Sequence, residues 1–232
     1  MKKMQITACA LAVLTITSLP SLAKDIEVKV TGSVTPSGCT PTLTSDGTVD
    51  YGIIKSDSLT LDAYTTLERK NLDLTIACDA PVKLALETKN GRPNTLAGVD
   101  TEDAVSGAGL SPVSGLVGAS GASPVVGLGL SNSARIGGYA ISATGLKADG
   151  SVTPFITRGG STGKWTGEDS GLYSVGVKRQ LSWMQGMVQE PAAFKNLTIN
   201  LTVQAYINKA SELDLTKPVI LDGLSTIELV YL

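Results

Sequence analysis

Residues 219–232 read V-I-L-D-G-L-S-T-I-E-L-V-Y-L. Val219, Leu221, Gly223, Ser225, Ile227, Leu229 and Tyr231 fall on one side of an extended chain. Thr226, Glu228, Val230 and Leu232 fall on the other. Side chains alternate across a strand, so this stretch predicts a β-strand with one mostly buried face. The sequence stops there, and the expectation is that nothing downstream pairs with its free edge. An apolar edge of this kind must be covered, or it invites pairing with another chain. Two covers are open: another strand of the same chain, or a strand from a partner.

The same period of two recurs upstream. Leu197, Ile199, Leu201, Val203, Ala205 and Ile207 alternate with Thr198, Asn200, Thr202, Gln204 and Tyr206. Leu72, Leu74, Ile76 and Cys78 alternate within Asn71–Cys78, and Asp79-Ala80-Pro81 breaks that run before Val82–Thr88. Ile26, Val28, Val30, Gly32 and Val34 alternate in Lys24–Thr35, which predicts a first strand. Ile136–Thr144 and Leu172–Lys178 predict two more. Residues 49–54 form a short further segment, and 208–217 is polar and loop-like. Many strands with Gly and Pro punctuation and no helical period predict an all-β antiparallel sandwich. Residues 90–133 depart from this pattern. They are rich in Gly, Ser and Ala and predict a flexible insertion with one strand near its end.

Met-Lys-Lys, an apolar run to Ile16 and Leu19-Pro20-Ser21-Leu22-Ala23 have the form of a secretory signal peptide cut after Ala23. The run is too short to span a membrane. Residues 24–232 then form one domain, and Cys9 leaves with the signal. Losing Lys2 and Lys3 takes the formal charge from −2 to −4, which argues against nucleic acid as a partner. Cys39 and Cys78 remain. In an exported chain two cysteines most simply form one disulfide. It would close a loop of about 40 residues, worth roughly 4 kcal/mol on the chain-entropy account. A metal site is the poorer alternative, because the chain has no histidine.

The absence of histidine also removes the Ser-His and Cys-His nucleophile pairs. Asp100, Glu102 and Asp103 cluster in the Gly-rich stretch but lack the spacing of a calcium loop, so a solvated loop is expected. Val125–Leu130 looks like a phosphate loop only superficially, with no Lys-Ser/Thr after it. Trp165 and Trp183 could stack on a sugar or pack in the core. The composition therefore predicts a non-enzymatic protein without a cofactor or metal.

Val28-Lys29-Val30-Thr31-Gly32-Ser33-Val34, then Cys39, resembles the first strand of chaperone–usher pilins. Val49-Asp50-Tyr51-Gly52, the second cysteine at Cys78 and the penultimate Tyr231 are similar to pilin features as well. Cys39-Thr40-Pro41, Asn90-Gly91-Arg92, Gly127-Leu128-Gly129, Ile136-Gly137 and Val230-Tyr231-Leu232 extend the resemblance. Together they point to the uncharacterised GltF-like (DUF) fimbrial-like periplasmic proteins of enterobacteria.

The resemblance implies an immunoglobulin-like, pilin-like sandwich that lacks one strand. It implies completion by β-strand addition from a periplasmic chaperone or another fimbrial subunit. Ile227, Leu229, Tyr231 and Leu232 would form the partner-strand edge, with the Leu232 carboxylate open to a chaperone's basic residues. Ile26, Val28 and Val30 are the candidate donor segment. Because only Lys24–Glu27 precede Val28 in the mature chain, the expectation is a subunit that accepts a strand but does not give one, in a terminating or minor position. The implied location is the periplasm or a surface fimbrium, with no membrane span. The alternative is a self-complete glycan- or protein-binding module that uses the loops around Trp165 and Trp183.

Overall fold

The computed structural model describes residues 29–33, 38–167 and 169–232. The chain divides into two units, Met1–Thr35 and Pro36–Leu232. In the first unit, residues 29–33 are exposed and carry no strand. The strand expected over Lys24–Thr35 is therefore not present in its described part. Alternation alone does not make a strand; it needs a hydrogen-bonded neighbour. Ile26, Val28 and the signal segment lie outside the described residues.

The second unit is an all-β antiparallel sandwich. Its strands are β1 (Cys39–Leu43), β2 (Thr65–Val82), β3 (Leu84–Asn90), β4 (Gly109–Ser114), β5 (Ala122–Gly127), β6 (Leu130–Ser131), β7 (Ala134–Arg135), β8 (Gly137–Ala148), β9 (Ser151–Val152), β10 (Phe155–Gly159), β11 (Arg179–Trp183), β12 (Phe194–Ile207) and β13 (Ser225–Tyr231). The larger sheet runs β1-β2-β12-β8-β5-β4, with β9 on β8. The smaller runs β10-β11-β3-β13, and β6 pairs with β7.

The alternation in β2 and β12 builds the core. Leu72, Leu74, Ile76 and Cys78 face Leu197, Ile199, Leu201, Val203, Ala205 and Ile207 in one buried cluster, closed from the other sheet by Leu84, Leu86, Leu181 and Trp183. Cys39 lies opposite Cys78 in the β1–β2 register and is disulfide-bonded to it. β2 passes into β3 through Lys83 alone, so the chain changes sheets at this corner.

Three expectations are corrected. The strand expected at Leu172–Lys178 is instead β11, a few residues later. Leu172 and Tyr173 are buried but tied by single bonds, such as the Leu172 N–H to the Ile141 carbonyl, which leaves no ladder. The last strand starts at Ser225, not Val219. The Leu224 carbonyl accepts the Gly91 N–H, whereas Ile220 is exposed. Residues 90–133 hold β4, β5 and β6, more than the one strand expected. Leu96, Leu116, Val117 and Val125 pack with Ala140 and Tyr206 into a second buried cluster. This cluster covers the outer face of β8 and β12. Gly137 permits the close approach: a Cβ there would overlap the Tyr206 carbonyl oxygen. The Tyr206 hydroxyl donates to the Ala97 carbonyl at 2.7 Å.

Candidate partner groove beside the last strand

β13 pairs with β3 along its whole length, from Ser225 opposite Asn90 to Tyr231 opposite Leu84. The flanking bonds, Gly91 N–H to Leu224 O and Leu232 N–H to Lys83 O, fix which residues point at β3. In an antiparallel pair these alternate, so Thr226, Glu228 and Val230 bond to β3. The N–H and C=O groups of Ser225, Ile227, Leu229 and Tyr231 face the other way. No strand among the described residues pairs with that edge.

Beside it lies a cavity of about 1200 Å³. Its floor is the inner face of the larger sheet: Leu72 and Leu74 of β2, Tyr139 and Ile141 of β8, and Leu201, Val203, Ala205 and Ile207 of β12. One wall is the stretch from Pro41 to Leu59, and the other is the loop 213–224 with Ser225, Ile227 and Leu229. Both walls are pinned. The Tyr51 hydroxyl accepts the Ala205 N–H at 3.2 Å, and burial raises its phenol above the ordinary range. Arg92 grips Asp222 through two bonds of 2.8 and 2.6 Å, holding that carboxyl below its usual range. The Ser225 hydroxyl sits 2.7 Å from both the Tyr139 and the Tyr173 hydroxyls. Burial pushes the Tyr139 phenol up to about 12 and also raises Tyr173. Gly223 lies so close to Tyr139 that an added Cβ would come within 2.8 Å of its ring.

The other end strands of the two larger sheets differ. β1 carries Pro41 on its outward-facing side: the Asp79 N–H to Gly38 O bond sets residues 40 and 42 toward β2 and 41 away from it. β4 carries Pro112 at the register shift between Leu110 and Ser114. β10 is covered by Thr166, which exchanges backbone bonds of 3.0 and 2.9 Å with Thr157, while Arg158 stacks on Trp165 with its guanidinium carbon 4.5 Å from the ring centroid. Proline on an edge and a covering loop both block strand addition. Among the described residues, β13 has neither.

The sequence-derived site residues are thus only partly gathered. Ile227 and Leu229 line the groove. Tyr231 and Leu232 lie beyond its end and are exposed. Val30 is exposed and outside any strand. Sequence reasoning did not identify the walls at 41–59 and 213–224 as parts of a site: residues 49–54 read only as a short segment and Val219–Leu224 as the start of the last strand. Trp183 does not serve a binding loop. It is fully buried, packs edge-on against Phe194 at 4.7 Å and donates its indole N–H to the Ala192 carbonyl. Glu102 and Asp103 are not simply solvated: Glu102 accepts the N–H groups of Asn94 and Leu96, and Asp103 those of Val105 and Ser106. Among the described residues no three His, Cys, Asp or Glu side chains group as metal ligands, and no helix is long and apolar enough to cross a membrane.

An open strand edge beside an apolar groove is what the geometry of this β-sandwich presents, and comparison with known proteins shows what the chain is similar to. A family described as "Protein of unknown function (DUF1120)" matches residues 28–140. The chain is similar to "Protein GltF" of Escherichia coli (strain K12), 27% identical over 255 residues, covering 100% of this chain and 99% of the relative. It is also similar to "Uncharacterized protein YhcF" of the same organism, 27% identical over 218 residues, covering 89% and 90%.

Proposed function

We propose that this chain is an exported, non-enzymatic fimbrial-like structural or interaction protein. Its sandwich is completed by a strand from a periplasmic chaperone and then from a neighbouring subunit. The observation that carries this reading is the contrast between edges. β1, β4 and β10 are blunted by proline or covered, whereas β13 presents Ile227 and Leu229 backbone groups to an apolar groove. An added strand would satisfy those groups and place alternate side chains on Leu72, Leu74, Leu201 and Val203. The groove, about 1200 Å³ and floored by apolar side chains, is larger and more apolar than a site for a small polar ligand needs. With Trp183 in the core, the paired-tryptophan glycan reading loses its basis.

The test is a thermal melt and size analysis of oxidised residues 24–232, produced in a periplasm with no cognate chaperone. Aggregation, degradation or self-polymerisation, rescued by a chaperone or a strand peptide, is expected. A monomer with a sharp cooperative melt that takes up no strand peptide would defeat the proposal.

A further inference from the structure

The groove has one blind end. Its lining begins at Pro41 on β1 and reaches only Leu229 on β13, stopping short of Cys39 and Tyr231. At that end the Cys39 N–H donates to the Tyr231 hydroxyl at 3.1 Å. This bond crosses from the edge of the larger sheet to the edge of the smaller one. It sits at the corner where β2 turns into β3, because Cys39 is opposite Cys78 and Tyr231 is opposite Leu84. Cys39 is held on its other side by the disulfide to Cys78, and the neighbouring Gly38 carbonyl accepts the Asp79 N–H at 3.0 Å. The anchor on the β1 side is therefore fixed, and the tyrosine is the adjustable half. At the far end, beyond Ser225 and Leu43, the two walls are joined only past the groove, where the Ala210 N–H donates to the Thr60 carbonyl at 3.1 Å and the Ser211 N–H to the Leu61 carbonyl at 2.9 Å, and no side chain crosses between the strand edges there among the described residues.

Resting on the strand-acceptor reading above, we infer that Tyr231 sets the register of the incoming strand. Its hydroxyl, bonded to the Cys39 N–H, forms a stop at one end of the groove. A strand laid against β13 bonds to Ile227 and Leu229 and ends at Tyr231, because going further requires the Tyr231–Cys39 bond to open. The penalty for overrunning the stop is the loss of one partly exposed hydrogen bond, about fivefold in affinity.

The probe is a synthetic peptide that is not taken from this chain, V-K-V-T-V-E-V, which alternates apolar and polar residues and matches the seven residues of β13 in length. Two longer versions carry one added tryptophan, at the N-terminus or at the C-terminus. Binding to oxidised residues 24–232 is measured by fluorescence anisotropy for the parent chain and for Tyr231→Phe. The expected result is a penalty of about fivefold on one extended peptide and not the other. Tyr231→Phe should reduce that penalty below about twofold while leaving the affinity of the unextended peptide unchanged, and the melting temperature should fall slightly because the same bond is lost from the folded protein. A penalty on both extended peptides, on neither, or on one but undiminished in Tyr231→Phe overturns the register stop while leaving the acceptor reading intact. Failure of all three peptides to bind either protein overturns the acceptor reading, and the stop with it.

Discussion

The two flanks of this sandwich manage their exposed apolar surface in opposite ways. On the outer face of β8 and β12, residues 91–128 fold back over Tyr206 and Ala140, bury them and end in an edge strand broken by Pro112. On the other flank β13 ends the smaller sheet with no proline and no cover among the described residues, beside a groove floored by core side chains. One flank is finished by its own chain. The other is left in the state that edge-blunting devices exist to prevent. Of the four end strands of the two larger sheets, β1, β4 and β10 are blunted or covered and β13 is not, and this contrast is what the proposed function rests on.

The covered flank should respond most strongly to damage. Gly137 sits where β8 and β12 touch, and a side chain there would have to displace the Tyr206 backbone. Gly137→Val is expected to cost about 3 kcal/mol or more, read as a shift of the urea midpoint at constant slope. A loss under about 1 kcal/mol would show that β8 and β12 do not approach at Gly137 as described.

The second change gives β13 the device its counterparts carry. The Leu229 N–H points away from β3, so Leu229→Pro removes an edge donor without removing a ladder bond. The lost packing should lower stability by about 1–2 kcal/mol, but strand-peptide uptake should fall below detection. Undiminished uptake would mean that the partner binds elsewhere. The reverse change, Pro112→Thr, restores a donor to β4. It should alter stability by less than about 1 kcal/mol yet produce concentration-dependent association in sedimentation velocity. If it stays monomeric, the proline is not what keeps that edge silent.

The contrast was only half legible in the sequence. Period-two runs reveal which face of a segment is buried. Leu72–Cys78, Leu197–Ile207 and Ile227–Leu229 were readable because each run carries its own pattern, and Cys39–Cys78 followed from cysteine count. What joins segments left no such trace. Leu96, Leu116, Val117 and Val125 are scattered among glycines and serines, so their common packing on Tyr206 has no period to betray it. The alternation of Val219–Leu224 looked like strand, but those residues have no ladder partner and form a wall instead. Lys24–Thr35 shows the same ambiguity, since residues 29–33 alternate without pairing. The groove itself is a gap between segments, and its outline depends on residues 41–59, whose sequence has no pattern to read.

The smallest effect should separate the two flanks by pH. Asp222 holds the loop that leads into β13, and the hydrogen bond from Arg92 lowers its pKa below the ordinary 3.8. A carboxyl depressed in the folded state adds stability above its unfolded value and loses it as pH falls through the folded one. Because the Asp222 side chain is more than half exposed and Arg92 about one-third, the contribution is small and weakens with salt. The expected signature is local: below about pH 4 the Gly91 amide, which bonds to the Leu224 carbonyl beside this pair, should lose hydrogen-exchange protection before the amides of β5 do. Asp222→Asn should abolish that acid sensitivity, with Gly91 already less protected at neutral pH. Equal loss of protection on both flanks, or an unchanged acid response in Asp222→Asn, would mean that the wall of the groove is held by the apolar contacts of Val219 and Leu221 instead of by the ion pair.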